Sequence, residues 1–200
     1  MAVSVNLITD RLPDSFGICG RRMRVRTDFR VWIVIIELLS DEGIPESMRL
    51  GCAAKILFGK PIGELGFSDT EAATHDFIRE LGRFVYCGRR IGPRRNDAPA
   101  GSRAADGDGG AMRVHEELLD FTYDSDLIAA AFRQVYGIDL LDRRVPVKMH
   151  FWQFMALLRS CPADTELMRT VAIRAADLGR IRDDEARRSM RRAKAAVRIR

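Results

Sequence analysis

Residues 120–158 read DFTYDSDLIAAAFRQVYGIDLLDRRVPVKMHFWQFMALL, and their spacing decides the fold class. Asp124 or Ser125 stands where a helix cap is needed. Ile128, Ala131, Phe132 and Val135 follow on one face of a helix. Gly137 falls where left-handed backbone ends a helix, and Ile138 is placed to fold back over the last turn. A second helix, about Lys148 to Arg159, gathers Phe151, Phe154, Met155 and Leu158. Pro162 closes it, and Asp164 or Thr165 starts a third with Met168, Val171, Ala172 and Ala175. Asp177 then caps or precedes a final Arg-rich helix, with Asp183, Asp184 and Glu185 near its favourable dipole end.

Toward the N-terminus the period changes. Arg22, Arg24 and Arg26 alternate with Met23 and Val25, as in a half-buried strand, with Phe16 and Ile18 as partner and Gly20 in the turn. Val3, Val5 and Leu7 alternate too and suggest a third strand. Thr27 or Asp28 can cap a helix to about Leu39. That helix is apolar on two faces (Trp32, Ile35, Ile36 and Leu39; Val31, Val34 and Leu38) and is therefore expected to be central. Pro45 suits the first turn of a helix that Gly59 ends. Ser68-Asp69-Thr70-Glu71 reads as a capping box for a helix carrying Phe77, Leu81, Phe84 and Val85 and stopping near Gly88. The expected fold is mainly α: a helical bundle with a small N-terminal β-hairpin and a disordered central linker.

That linker is residues 88–111, GRRIGPRRNDAPAGSRAADGDGGA, where only Ile91 is strongly apolar. Such a stretch buries too little to offset an ordering cost of roughly 1–2 kcal/mol per residue. The organisation read from sequence is 1–87, hairpin plus helices; 88–111, linker or insertion; and 112–200, a helical region with an Arg-rich end.

Composition narrows the function classes. The longest apolar run, Val31 to Ile36, is broken by Glu37, so no membrane span is expected. The N-terminal residues lack a basic segment followed by an apolar one, which leads to an expected cytoplasmic location. Cys19, Cys52, Cys87 and Cys161 are far apart, as are His75, His115 and His150, so neither a metal site nor a disulfide framework is expected. The net charge is +5, yet residues 179–200 hold nine Arg/Lys against three Asp/Glu. The basic character thus belongs to the tail. It admits a solvated helix, a nucleic-acid arm or a docking helix. Without aromatic interleaving, the first and third are preferred to nucleic acid.

Catalysis would need Tyr123, Asp124, Asp126, Asp139 and His150 to converge in a cleft. The plainer reading makes Asp124 and Asp126 caps or first-turn charges, makes Asp139 a cap of the connection, and lets His150 bond a helix end. No phosphate loop, nucleophile elbow, HExxH or dinucleotide fingerprint is present, so a non-enzyme without cofactor is expected. Trp152 fits the core better than a contact surface.

The order of landmarks carries a resemblance. Leu7-Ile8-Thr9-Asp10-Arg11-Leu12-Pro13 and Thr27-Asp28-Phe29-Arg30-Val31-Trp32 come first. Asp120-Phe121, Tyr123-Asp124, Ala130-Ala131-Phe132 and Tyr136-Gly137-Ile138-Asp139-Leu140 follow. His150-Phe151-Trp152-Gln153-Phe154 and Ala156-Leu157-Leu158 complete the central block. Thr165, Met168, Ile173-Arg174, Asp177-Leu178 and Ile181 continue it. The set resembles the bacteriophage gene-product-fifteen family of siphophages and prophages, over residues 6–32 and 120–182, with 88–111 resembling an insertion. The resemblance implies a tail assembly chaperone in the host cytoplasm, absent from the mature virion. It implies binding of the tape measure protein, recruitment of the major tail protein, and self-association as a homo-oligomer. It marks Phe132, Tyr136, His150, Phe151, Trp152 and Phe154 as signature or partner-binding candidates. The second hypothesis is a nucleic-acid-binding accessory protein that uses the basic C-terminal helix.

Overall fold

Two short strands, β1 (Ser15–Ile18) and β2 (Arg21–Arg24), form the antiparallel hairpin that the alternation predicts. Phe16 pairs with Met23 and Ile18 with Arg21, leaving Cys19 and Gly20 as a two-residue loop. Their φ angles, 46° and 74°, suit the primed turn whose twist matches such a hairpin. The Cys19 N–H is held by the Asp76 carboxylate at 2.8 Å. Phe16 and Ile18 point inward, and Arg22 and Arg24 face solvent.

The computed structural model describes residues 8–89, 118–142 and 148–199. The suggested strand at Val3, Val5 and Leu7 lies outside them, as does the linker after Arg89. Among the described residues the helices are α1 (Phe29–Ser40), α2 (Glu46–Phe58), α3 (Thr70–Val85), α4 (Ser125–Tyr136), α5 (Phe151–Arg159), α6 (Glu166–Ala175) and α7 (Asp184–Ala196). Single 3₁₀ turns lie at Ile62–Glu64 and Leu178–Arg180. The protein is mainly α with one small hairpin. No described helix is long and apolar enough to cross a membrane.

The chain divides into two units. Lys148–Ala156 groups with the N-terminal residues rather than with the rest of 112–200. The reason is backbone pairing. Phe29 N–H donates to the Met149 carbonyl at 3.1 Å, and Phe151 N–H donates to the Thr27 carbonyl at 2.8 Å. This is an antiparallel bridge centred on Asp28 and His150. It sets the starts of α1 and α5 side by side, where Phe29 stacks on Phe154 with centroids 4.7 Å apart.

Around that bridge the first unit builds an aromatic core. Trp32 stacks on Phe84 at 4.1 Å, and Phe16 lies 6.0–6.2 Å from Trp32, Phe58, Phe77 and Phe84. Full burial contributes roughly 1.5–3 kcal/mol for a large apolar side chain, and well-oriented ring pairs add about 0.5–1.5 kcal/mol. Both indole N–H groups are satisfied: Trp32 Nε1 donates to the Arg26 carbonyl at 2.7 Å and Trp152 Nε1 to the Phe84 carbonyl at 2.8 Å.

Two local expectations are corrected here. The α1 helix is not central, because Val34 on its second face is 51% exposed while Phe29, Trp32 and Ile35 are buried. The cap of α3 is Asp69 rather than Ser68. Asp69 is extended and its carboxylate accepts the Ala72 N–H at 2.9 Å, so the helix starts at Thr70 and the Ser68–Glu71 box has no place to form. The Asp28 cap of α1 and the left-handed Gly59 that ends α2 are as read.

The second unit is organised by a buried ion pair. Asp124 does not cap α4 with its side chain. Its carboxylate receives Arg174 Nη1 at 2.6 Å and Nη2 at 2.8 Å, a bidentate pair whose side chains are 1% and 6% exposed. The same guanidinium donates to the carbonyls of Leu118 at 2.8 Å and Val197 at 2.6 Å, and Asp124 also accepts the Asp120 N–H at 3.0 Å. One side chain thus joins the approach to α4, the last turn of α6 and the end of α7. The buried face of α6 is therefore Leu167, Thr170, Val171 and Arg174. Ala172 and Ala175, expected inside, are exposed.

The ends of α6 and α7 cap each other. Arg174 of α6 bonds the carbonyl of Val197, the C-cap of α7. Lys194 of α7 donates to the carbonyl of Ala176, the C-cap of α6, at 2.7 Å. Each cation sits where orphan carbonyls concentrate negative charge. No residue of α7 is buried, so these polar contacts carry much of its attachment.

The pair gives an asymmetric expectation. Asp124→Leu alone leaves a buried guanidinium without its counter-charge and should cost about 3–5 kcal/mol. Asp124→Leu combined with Arg174→Met removes both charges and should recover part of that loss, the bonds to the Leu118 and Val197 carbonyls staying lost. Denaturant melts followed by circular dichroism measure both; no recovery in the double variant would show that the unpaired charge is not the source of the loss.

Candidate functional site

His150 is the cap of α5, a position that usually takes a short hydroxyl or carboxylate side chain. Its Nδ1 accepts the Trp152 N–H at 3.0 Å, while its own backbone N–H donates to Gln153 Oε1 at 3.2 Å. This is the reciprocal arrangement of a capping box, with imidazole in place of a hydroxyl. The second ring nitrogen, Nε2, lies 3.0 Å from the Pro13 carbonyl. Nδ1 receives a donor and Nε2 faces an oxygen that can only accept, so the ring is neutral with its hydrogen on Nε2. Burial holds its pKa below the usual 6.5, although the Pro13 carbonyl and Asp14 act the other way.

Trp152 follows in the interior. It is 1% exposed, and its ring closes against Gly88. A Cβ at Gly88 would lie 3.1 Å from Trp152 Cη2, and the residue's φ of +72° disfavours a side chain as well. Phe151 and Phe154 are fully buried beside it. Four of the six signature residues therefore belong to one end of the first unit: His150 caps, and Phe151, Trp152 and Phe154 pack. Truncating a buried Trp or Phe typically costs about 3–5 kcal/mol.

The other two signature residues lie in the second unit. Phe132 is buried on α4 and meets Tyr136 edge-on at 5.6 Å. The Tyr136 hydroxyl donates to the Leu157 carbonyl at 2.7 Å. Burial pushes the Tyr136 phenol above its usual pKa, and the neighbouring Cys161 adds to the shift. Burial also pushes the Cys161 thiol up, which keeps it protonated and unreactive near neutral pH.

The remaining ionisable candidates are placed by ordinary structural bonds. Asp126 accepts the Leu127 N–H, and Asp139 accepts the Leu141 N–H and lies 3.7 Å from Arg133. Tyr123 is 45% exposed, with the Arg174 guanidinium 5.7 Å from its ring. Among the described residues no three His, Cys, Asp or Glu side chains are grouped to hold a metal ion.

Exposed large apolar side chains lie elsewhere: Val34 on α1, Met48 on α2 and Ile78 on α3 in the first unit, and Leu141 in the second. The bond from His150 to a helix end is as read, in the Trp152 N–H to Nδ1 contact. Sequence reasoning missed the Asp124–Arg174 pair, because Arg174 was legible only as a cation in an apolar register, four residues after Thr170 and seven after Leu167.

The His150 geometry sets a pH dependence. A base whose pKa is lowered by folding takes up its proton more readily in the unfolded chain. Its contribution is therefore intact above about pH 6.5 and is lost as pH falls from there through the folded pKa. His150→Asn keeps a capping oxygen but cannot titrate. Melting temperatures between about pH 7.5 and 5 should fall more steeply for the parent than for this variant; parallel slopes would contradict the neutral-imidazole cap.

No curated protein and no solved structure is matched by this chain. A family model described as Bacteriophage Gp15 protein matches residues 8–199, nearly the whole length, and includes both the His150–Phe154 cap and the Asp124–Arg174 pair. The chain belongs to the bacteriophage Gp15 protein family.

Proposed function

We propose that this phage-family protein is a non-catalytic tail assembly chaperone that binds the tape measure protein in the host cytoplasm and assists recruitment of the major tail protein. The observation that carries the reading is the family match across residues 8–199. The structural context favours binding over chemistry: Asp124, Asp126, Asp139 and His150 each hold a backbone or ion-pair partner within the fold. A tape measure protein is a long chain with amphipathic helical segments, and exposed apolar side chains on helix faces suit such a partner. Val34, Met48 and Ile78 are the first-unit side chains that fit this role. The buried signature residues Phe151, Trp152 and Phe154 then act by holding the helices in place. Copies associating along one tape measure chain would add avidity without new contacts.

Co-expression with the tape measure protein of the same phage, followed by affinity capture, tests the reading. The tape measure protein should be soluble and captured only when this chain is present, and Val34→Glu should weaken capture without changing the melting temperature. A tape measure protein that is equally soluble alone and is not retained would contradict it.

A further inference from the structure

We infer that the outward arc of α7 is a phosphate-backbone contact surface for nucleic acid, a role independent of tape measure binding. The docked side of α7 is defined by Arg187, Met190, Ala193 and Lys194, all half-buried. Arg187 bonds the Ile181 carbonyl and Lys194 the Ala176 carbonyl, so these two cations are committed to attachment. At 3.6 residues per turn, Arg188, Arg191 and Arg192 fall within an arc of about 100° that faces away from Met190 and Ala193. All three are exposed and none is in an ion pair with a described residue; Arg188 reaches only the Asp184 carbonyl of its own helix. Exposed Arg198 follows the C-cap Val197.

The composition of this arc selects the partner class. Past the first turn Ala195 lies within this arc and Ser189 and Ala196 border it, so it carries no large apolar or aromatic side chain there. Protein interfaces are anchored by such side chains and are depleted of charge at their centres. A row of guanidinium groups without an anchor suits a polyanion that presents acceptors at regular spacing along its length. The carboxylates of the helix are confined to its first turn: Asp183 caps the Ala186 N–H, and Asp184 pairs with Arg187 at 2.9 Å. Glu185 is the remaining first-turn acid. The positive field therefore belongs to the helix beyond its first turn. With no aromatic stacking platform, the surface reads the phosphate backbone and not the bases.

Fluorescence anisotropy with labelled short duplexes of two unrelated sequences, across a salt series, tests this on the full chain. Both duplexes should bind alike, with log affinity falling linearly against log salt. Arg188→Gln, Arg191→Gln and Arg192→Gln together should make that slope shallower by about 2.7, at about 0.9 for each phosphate no longer neutralised. The corresponding Lys triple should restore the slope, which separates loss of charge from loss of fold. No binding at low salt, an unchanged slope in the Gln triple, or tighter binding to a poly-glutamate peptide than to either duplex would overturn the assignment.

Discussion

The pairing of residues 27–29 with 149–151 is the constraint on which the first unit depends. Two backbone hydrogen bonds across Asp28 and His150 bring a segment from late in the chain beside the first helix. Once it is there, Phe151, Trp152 and Phe154 fill the space among Phe29, Trp32 and Phe84. The indole of Trp152 also satisfies a carbonyl in the last turn of α3. His150 serves both purposes, because its ring caps α5 and bonds Pro13 while its backbone sits in the bridge. Unpaired, these groups would leave buried donors and acceptors at about 1–3 kcal/mol each.

The second unit solves a different problem by different means. It has few large aromatics and instead converges on one guanidinium, which meets a carboxylate and two carbonyls. A buried pair of this kind adds little net stability compared with apolar residues of the same shape, but neither charge can be buried without the other, since a lone one costs about 3–5 kcal/mol. That constraint fixes which face of α6 is inside and where α7 ends. It also leaves the outer arc of α7 free of structural duties.

The local part of this fold was legible in the sequence. Alternation at Phe16–Arg24, the Asp28 cap, the glycine stops at 59 and 137 and the Thr165 cap all follow from short-range rules, and they appear where those rules put them. What was not legible is long-range. Nothing near His150 announces that it pairs with Asp28, far earlier in the chain. Asp124 looks like a helix cap until Arg174 is beside it. The spacing of the six candidate residues could not say that Phe132 and Tyr136 pack in one unit and His150–Phe154 in the other. At Ser68-Asp69 two adjacent caps competed, and the carboxylate won.

Native-state hydrogen exchange of the full chain tests the central claim, that the returning segment is an integral part of the first unit. The amides of Phe29 and Phe151 donate across the bridge, and that of Trp152 donates to His150. If the segment is integral, these amides should exchange only through global opening of the first unit, with the same free energy as amides in the middle of α1 and α3. Exchange of Phe151 and Trp152 at a clearly lower free energy, with α1 and α3 still protected, would show that residues 148–156 detach on their own and would contradict the account.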